Sequence, residues 1–265
     1  MRLILTGLQR LILTGLLPAG LIVTAESVPG VNGPIEITPL VHSSVQLEYR
    51  GRVIQIDPWN ILGLNGAKTA DLILITDDVG HHLDVDGIAK LRKPTTPLVM
   101  AANGEDQIDD GIVIANGEII RVAGITVEAV AAYDIIQGAP SHPKGDANGY
   151  VVSFGGKKFY FAGVTECVDE VKALQGLNVA FLPLNVPLAR MTPAAAAECA
   201  RVLNPDVVYP YHYDQDYARR VISPDYVGSG LPGGLSVEQS LIRFTEELEG
   251  SGIEVRIGNF YPPLD

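Results

Sequence analysis

Residues 75–84 read Ile75-Thr76-Asp77-Asp78-Val79-Gly80-His81-His82-Leu83-Asp84. The segment that leads into them, Asp71-Leu72-Ile73-Leu74-Ile75-Thr76, is short and almost wholly apolar, as a strand buried on both faces should be. The chain then turns polar and offers two carboxylates followed by two adjacent imidazoles. Loops at strand ends are where a rigid scaffold displays reactive groups. Neutral imidazole is the commonest zinc ligand, and carboxylates complete many such sites. Beyond the loop, Val85, Ile88 and Leu91 recur at helical spacing and predict a brief amphipathic helix.

Upstream, the stretch from Ile35 to Ile56 reads as strands: Val45, Leu47 and Tyr49 alternate with polar residues, and Gly51 turns the chain into Val53–Ile56. Downstream, strands are expected at Pro97–Met100, Ile119–Val122 and Ile125–Val130. Gly149–Phe154 and Lys158–Ala162 flank Gly155-Gly156 as a hairpin. The second half alternates strands with helices. A helix is expected near Glu166–Leu174 and a strand at Val179–Leu182. Thr192 and Pro193 open a helix to about Leu203, and a strand follows at Val207–Tyr209. Ser236 and Gln239 form a capping box for a helix carrying Val237, Leu241, Phe244 and Leu248, with a closing strand at Ile253–Ile257. Asp214–Arg220 reads as a solvated loop. Sheets covered by helices follow from this order.

The chain has 265 residues, 47% hydrophobic and 19% charged, enough for one large core without a second domain. Its net charge of −12 disfavours nucleic acid and anionic lipid as partners. Residues 1–25 carry Arg2 and Arg10, no acid, an apolar run from Leu11 to Val23 and a terminal Val23-Thr24-Ala25. That pattern is expected of a signal peptide, and it implies export to the periplasm or the exterior, with an uncleaved anchor as the alternative. Cys167 and Cys199 fall in segments that read as helices, where buried free thiols are the expectation.

There are five histidines, at positions 42, 81, 82, 142 and 212, and four of them follow or occupy places where a strand should end. With their neighbours they carry a resemblance. Residues 75–84 resemble the metal-binding loop of the metallo-β-lactamase superfamily, usually His-x-His-x-Asp-His. His42-Ser43-Ser44 with Ile56-Asp57-Pro58-Trp59, and Ser141-His142-Pro143-Lys144-Gly145 ahead of Gly149, look like further segments of that family. So do Phe161-Ala162-Gly163-Val164-Thr165, Met191-Thr192-Pro193 and Tyr209-Pro210-Tyr211-His212-Tyr213, all in the family's order. The resemblance runs from about residue 35 to 215 and is nearest to the branch of L-ascorbate-6-phosphate lactonase and related metal-dependent hydrolases. It implies a four-layer αββα sandwich of the α/β (α+β) class spanning residues 27–265.

The departures matter as much. Val79 stands where the family has its second His, His81 where it has the loop Asp, and Val164 where it has the Asp that bridges two metals. Val offers no lone pair. The first metal would keep only Asp77 and His142, whereas His81, His82 and His212 could still hold one divalent metal, zinc foremost, with an open position. Asp77 or His142 would then shuttle protons or contact a small-molecule substrate. Asp57 is expected to orient the loop, and His42 to be a hydrogen-bonded structural residue. Two readings stay open: a mononuclear hydrolase of a small ester, lactone or phosphoester, and a metal-free, inactive relative kept for binding.

Overall fold

The structure is a computed structural model that describes residues 25–136, 142–228 and 231–264. Among these described residues, fourteen strands form two seven-stranded mixed sheets. The first holds β1 (Glu26–Gly30), β2 (Gly33–Val41), β3 (Ser44–Tyr49), β4 (Arg52–Ile56), β5 (Leu72–Leu74), β6 (Leu98–Met100) and β7 (Ile112–Val113), side by side in chain order. The second holds β8 (Ile119–Val122), β9 (Ile125–Ala132), β10 (Ala147–Phe154), β11 (Lys157–Phe161), β12 (Val179–Pro183), β13 (Val207–Tyr211) and β14 (Glu254–Val255), again in order. Each sheet starts as an antiparallel meander and ends in parallel strands. The helices are α1 (Val85–Leu91), α2 (Asp169–Lys172), α3 (Pro193–Leu203), α4 (Tyr217–Ile222) and α5 (Val237–Glu247).

The alternation in β5 shows why two layers of side chains are needed on the first sheet. Leu72 and Leu74 enter the main core with residues of the second sheet, while Ile73 and the following Ile75 pack with Ile88 of α1 on the other face. The αββα sandwich expected from the sequence is the observed fold. On the second sheet α3 contributes Ala196, Ala197, Ala200 and Leu203 to the main core, and α5 contributes Phe244. The Thr192 cap with Pro193 behind it, and the Ser236–Gln239 capping box, are both present.

Four local readings change. The helix expected over 166–174 is one turn, Asp169–Lys172, because Val168 at its start offers no side-chain cap. Asp214–Arg220 is not a plain loop: it leads into α4, and Arg220 pairs with Asp214. The closing strand shortens to two residues. Cys167 and Cys199 are not free thiols but a disulfide, with Cα atoms 5.7 Å apart, tying the segment before α2 to α3. Residues 1–24 of the expected signal peptide lie outside the described residues. Among the described residues no helix is long and apolar enough to cross a membrane.

Candidate metal centre

Strand ends converge on one edge of the sandwich. His42 sits in the tight turn from β2 to β3, just past a bulge between Pro39 and Val41. Asp57 follows β4, Thr76 to His82 follow β5, and His212 follows β13. Three of these positions, His42 (φ 58°), Asp57 (φ 44°) and His212 (φ 54°), have left-handed backbones that non-glycine residues seldom adopt. Such conformations persist where the surroundings over-determine them, commonly at functional sites. Here backbone bonds fix them: His212 N–H donates to the His42 carbonyl (3.1 Å) and His42 N–H to that of Phe260 (3.2 Å). Gly163 (φ 65°) closes the same edge, since a Cβ there would stand 3.0 Å from Cβ of Thr76.

One donor atom each from His42, His81 and His212 lies within 4.8 Å of the others. The triplet differs from the expected His81, His82 and His212 in including His42, whose ring centroid is 3.7 Å from that of His212 and 5.0 Å from that of His81. His82 stands beside them, its Nε2 at 3.2 Å from Nε2 of His212 and its ring 4.5 Å from that of His81. The adjacent pair His81 and His82 thus both turn inward. They can do so because the chain coils over Val79, whose carbonyl accepts from the amides of His82 (2.8 Å) and Leu83 (2.9 Å).

Asp57 is fully buried and organises this loop. One carboxylate oxygen accepts from the Thr76 amide (2.8 Å), and the other from the Thr76 hydroxyl (2.7 Å) and from Nδ1 of His82 (2.7 Å). A carboxylate on Nδ1 fixes the ring and leaves the Nε2 lone pair directed at the cluster. Tyr261 plays a comparable part for His42, with its hydroxyl 2.5 Å from Nδ1, and Gln215 Nε2 lies 3.0 Å from Nδ1 of His212.

Burial, reinforced by neighbouring imidazolium charge, holds His42 and His212 well below the usual histidine range and pushes His81 down to about 3. These rings are therefore neutral near pH 7, the form that donates a lone pair to a metal. Two nitrogens bound to one tetrahedral ion at about 2.0–2.1 Å stand about 3.3 Å apart. The His82–His212 separation of 3.2 Å matches that value, so this pair of nitrogens fits a divalent cation.

Asp77 and His142 form a second group. Nε2 of His142 is 3.3 Å from Oδ2 of Asp77, and Nδ1 is 3.4 Å from Oδ2 of Asp134. Burial alone would raise the Asp77 carboxyl, but the contact with His142 and the nearby His82 outweigh it and bring the group to about 2. The Asn103 side chain also donates to Asp77 Oδ1 (2.9 Å). Behind His142, Arg190 makes a buried ion pair with Asp134. Val79 is exposed and Val164 buried, and neither supplies a donor. Sequence reasoning did not single out Tyr261, Gln215, Asn103, Asp134 or Arg190. Tyr261, Asn103 and Arg190 reach the site from far along the chain, whereas Gln215 and Asp134 lie 3 and 8 residues from the histidines they touch but in no pattern that marks them.

A family described as a β-lactamase superfamily domain matches residues 36–212. A UPF0173 metal-dependent hydrolase of Methanopyrus kandleri is 27% identical over 239 residues, covering 84% of this chain and 95% of that protein. One from Thermococcus onnurineus is 30% identical over 196 residues, covering 68% and 85%. Among solved structures, one described as a metal-dependent hydrolase, from Parabacteroides distasonis, is 31% identical with a TM-score of 0.71, covering 89% of this chain and 98% of its own. The metallo hydrolase Igni18 of Ignicoccus hospitalis, 20% identical with a TM-score of 0.63, covers 86% and 96% and shares the fold.

Proposed function

The chain belongs to the β-lactamase superfamily, and from that premise we propose that it is a hydrolase working with a single divalent metal ion, zinc foremost, held by His81, His82 and His212. The observation that carries this reading is the 3.2 Å approach of the His82 and His212 Nε2 atoms, with Asp57 locked on the far side of His82. His81 and His212 belong to either set of three. The third ligand is His82, because a carboxylate behind an imidazole raises its basicity more than the Tyr261 phenol behind His42 does. His42 then braces His212.

A divalent ion at this position supplies Lewis acidity toward a carbonyl or phosphoryl oxygen and makes water more acidic. The chain's own groups do the rest. Asp77, anionic at neutral pH, holds His142, and the His142 side chain, 16% exposed, offers the route by which a proton passes between the site and solvent. Asp134 and Arg190 fix the other edge of that ring. The substrate class that suits one metal and one relay is a small ester, lactone or phosphoester. With Val79 and Val164 in place of ligands, two-metal chemistry has no second cage.

A second reading rests on the chain of contacts Asp57–His82–His212–Gln215, which satisfies these rings without an ion and would suit a metal-free binding protein. The Cys167–Cys199 bond accords with export, since disulfides persist in oxidising compartments. To test the hydrolase, the protein is stripped with dipicolinate and reloaded with zinc, manganese or iron, then screened on aryl esters, lactones and phosphodiesters. Turnover restored by one metal and abolished in His142→Ala supports the proposal. No turnover in any form, with tight binding of an unaltered small molecule, supports the second reading.

A further inference from the structure

A cavity of about 1050 Å³, with Tyr261 and none of the histidines in its lining, lies between the α4 segment, the start of α5 and the residues after β14. Tyr261 belongs to both places: it lines the cavity, and its hydroxyl touches His42. Leu62, Val221, and Leu241 and Ile242 of α5 give the lining much of its apolar surface. Ile242 is 51% exposed, so the opening is apolar as well. This size and lining are those of sites for small molecules.

Several polar groups in the wall are already engaged, and the Tyr213 side chain adds a neutral phenol. The Tyr217 hydroxyl donates to the Pro262 carbonyl (2.6 Å), and Tyr261 lies against His42. Arg220 is paired with Asp214 and lies over the Tyr217 ring, 5.9 Å from its centroid. Among the described residues, Glu238 in the first turn of α5 is the remaining charge on the lining, and it is negative. An anionic head group would meet a neutralised arginine and an opposing carboxylate, on a chain of net charge −12. An uncharged molecule meets no such penalty and needs no hydrogen bond that the wall cannot give.

We propose that this cavity binds an uncharged, largely apolar small molecule, seated against Tyr261 one side chain away from the histidine cluster. Binding is independent of whether the histidines hold a metal, so its failure and that of the hydrolase reading are separate results.

The test titrates the full chain, with and without zinc, with the neutral fluorophore N-phenyl-1-naphthylamine. The expected result is saturable enhancement at one site per chain, reversed by 1-decanol and not by decanoate at equal concentration. Ile242→Glu and Leu62→Glu, on separate partly exposed walls, should each weaken binding at least tenfold while thermal unfolding stays unchanged. Lack of saturable binding, unaltered binding in both variants, or equal displacement by decanoate overturns the proposal. So does a parent dimer in light scattering that becomes monomeric in Ile242→Glu, which assigns the face to a second copy.

Discussion

Nδ1 of His82 lies 2.7 Å from Oδ2 of Asp57, and the two side chains are fully buried. The same oxygen accepts from the Thr76 hydroxyl, so one carboxylate joins the end of β4 to the histidine loop after β5. Removing its charge leaves buried donors facing a weaker acceptor. Asp57→Asn should destabilise the protein by about 1.5–3 kcal/mol, as expected for hydrogen bonds to charged groups. It should also weaken metal binding by about 10- to 100-fold. Denaturant unfolding and a competition titration with a chromophoric chelator check the two effects separately.

The metal-free protein should lose stability in mild acid. His42, His81 and His212 have folded pKa values lowered by burial, His81 to about 3. Between that value and the unfolded pKa of about 6.5 the unfolded chain binds more protons, so stability rises with pH across this window and falls as pH drops below about 6.5. Each such ring costs up to about 1.4 kcal/mol per pH unit. Urea midpoints between pH 7.5 and 5 should therefore fall steeply, and less steeply in His42→Gln. A flat profile would show that these rings are hydrated.

Arg190 and Asp134 are buried partners behind His142. Arg190→Met leaves a buried carboxylate without its counter-charge, and about 3–5 kcal/mol of destabilisation is expected. Arg190→Met with Asp134→Leu should recover much of that loss. Denaturation of the three proteins forms a cycle that checks it.

The disulfide spans a sequence separation of 32. Loop-closure entropy for that length gives roughly 3–4 kcal/mol. Cys167→Ser with Cys199→Ser should lower stability by up to that amount. Adding reductant should affect the parent and leave the double variant unchanged in a thermal melt.

Much of the fold was legible because its signals are local. The apolar run Leu72–Ile75 needs two covered faces, and the structure places its alternate residues in two different cores. The Ser236–Gln239 box is complete within four residues. The site was legible only as far as its motifs. Asp77 and His142, the two ligands that the family's first metal would keep, stand 3.3 Å apart. Nothing in His42-Ser43-Ser44 shows the left-handed turn that sets the His42 ring 3.7 Å from that of His212. Tyr261 lies 219 residues from His42, and neither residue's neighbours point to the other. The disulfide escaped for the same reason: two cysteines carry no pairing signal until the segment before α2 is laid against α3.

The most direct test of the central claim is the metal content of the purified protein and of its His42→Ala, His82→Ala and His212→Ala variants, measured by elemental mass spectrometry after dialysis against zinc. About one equivalent is expected in the parent and in His42→Ala, and none in His82→Ala or His212→Ala. No metal in the parent, or one equivalent retained in both His82→Ala and His212→Ala, would contradict it.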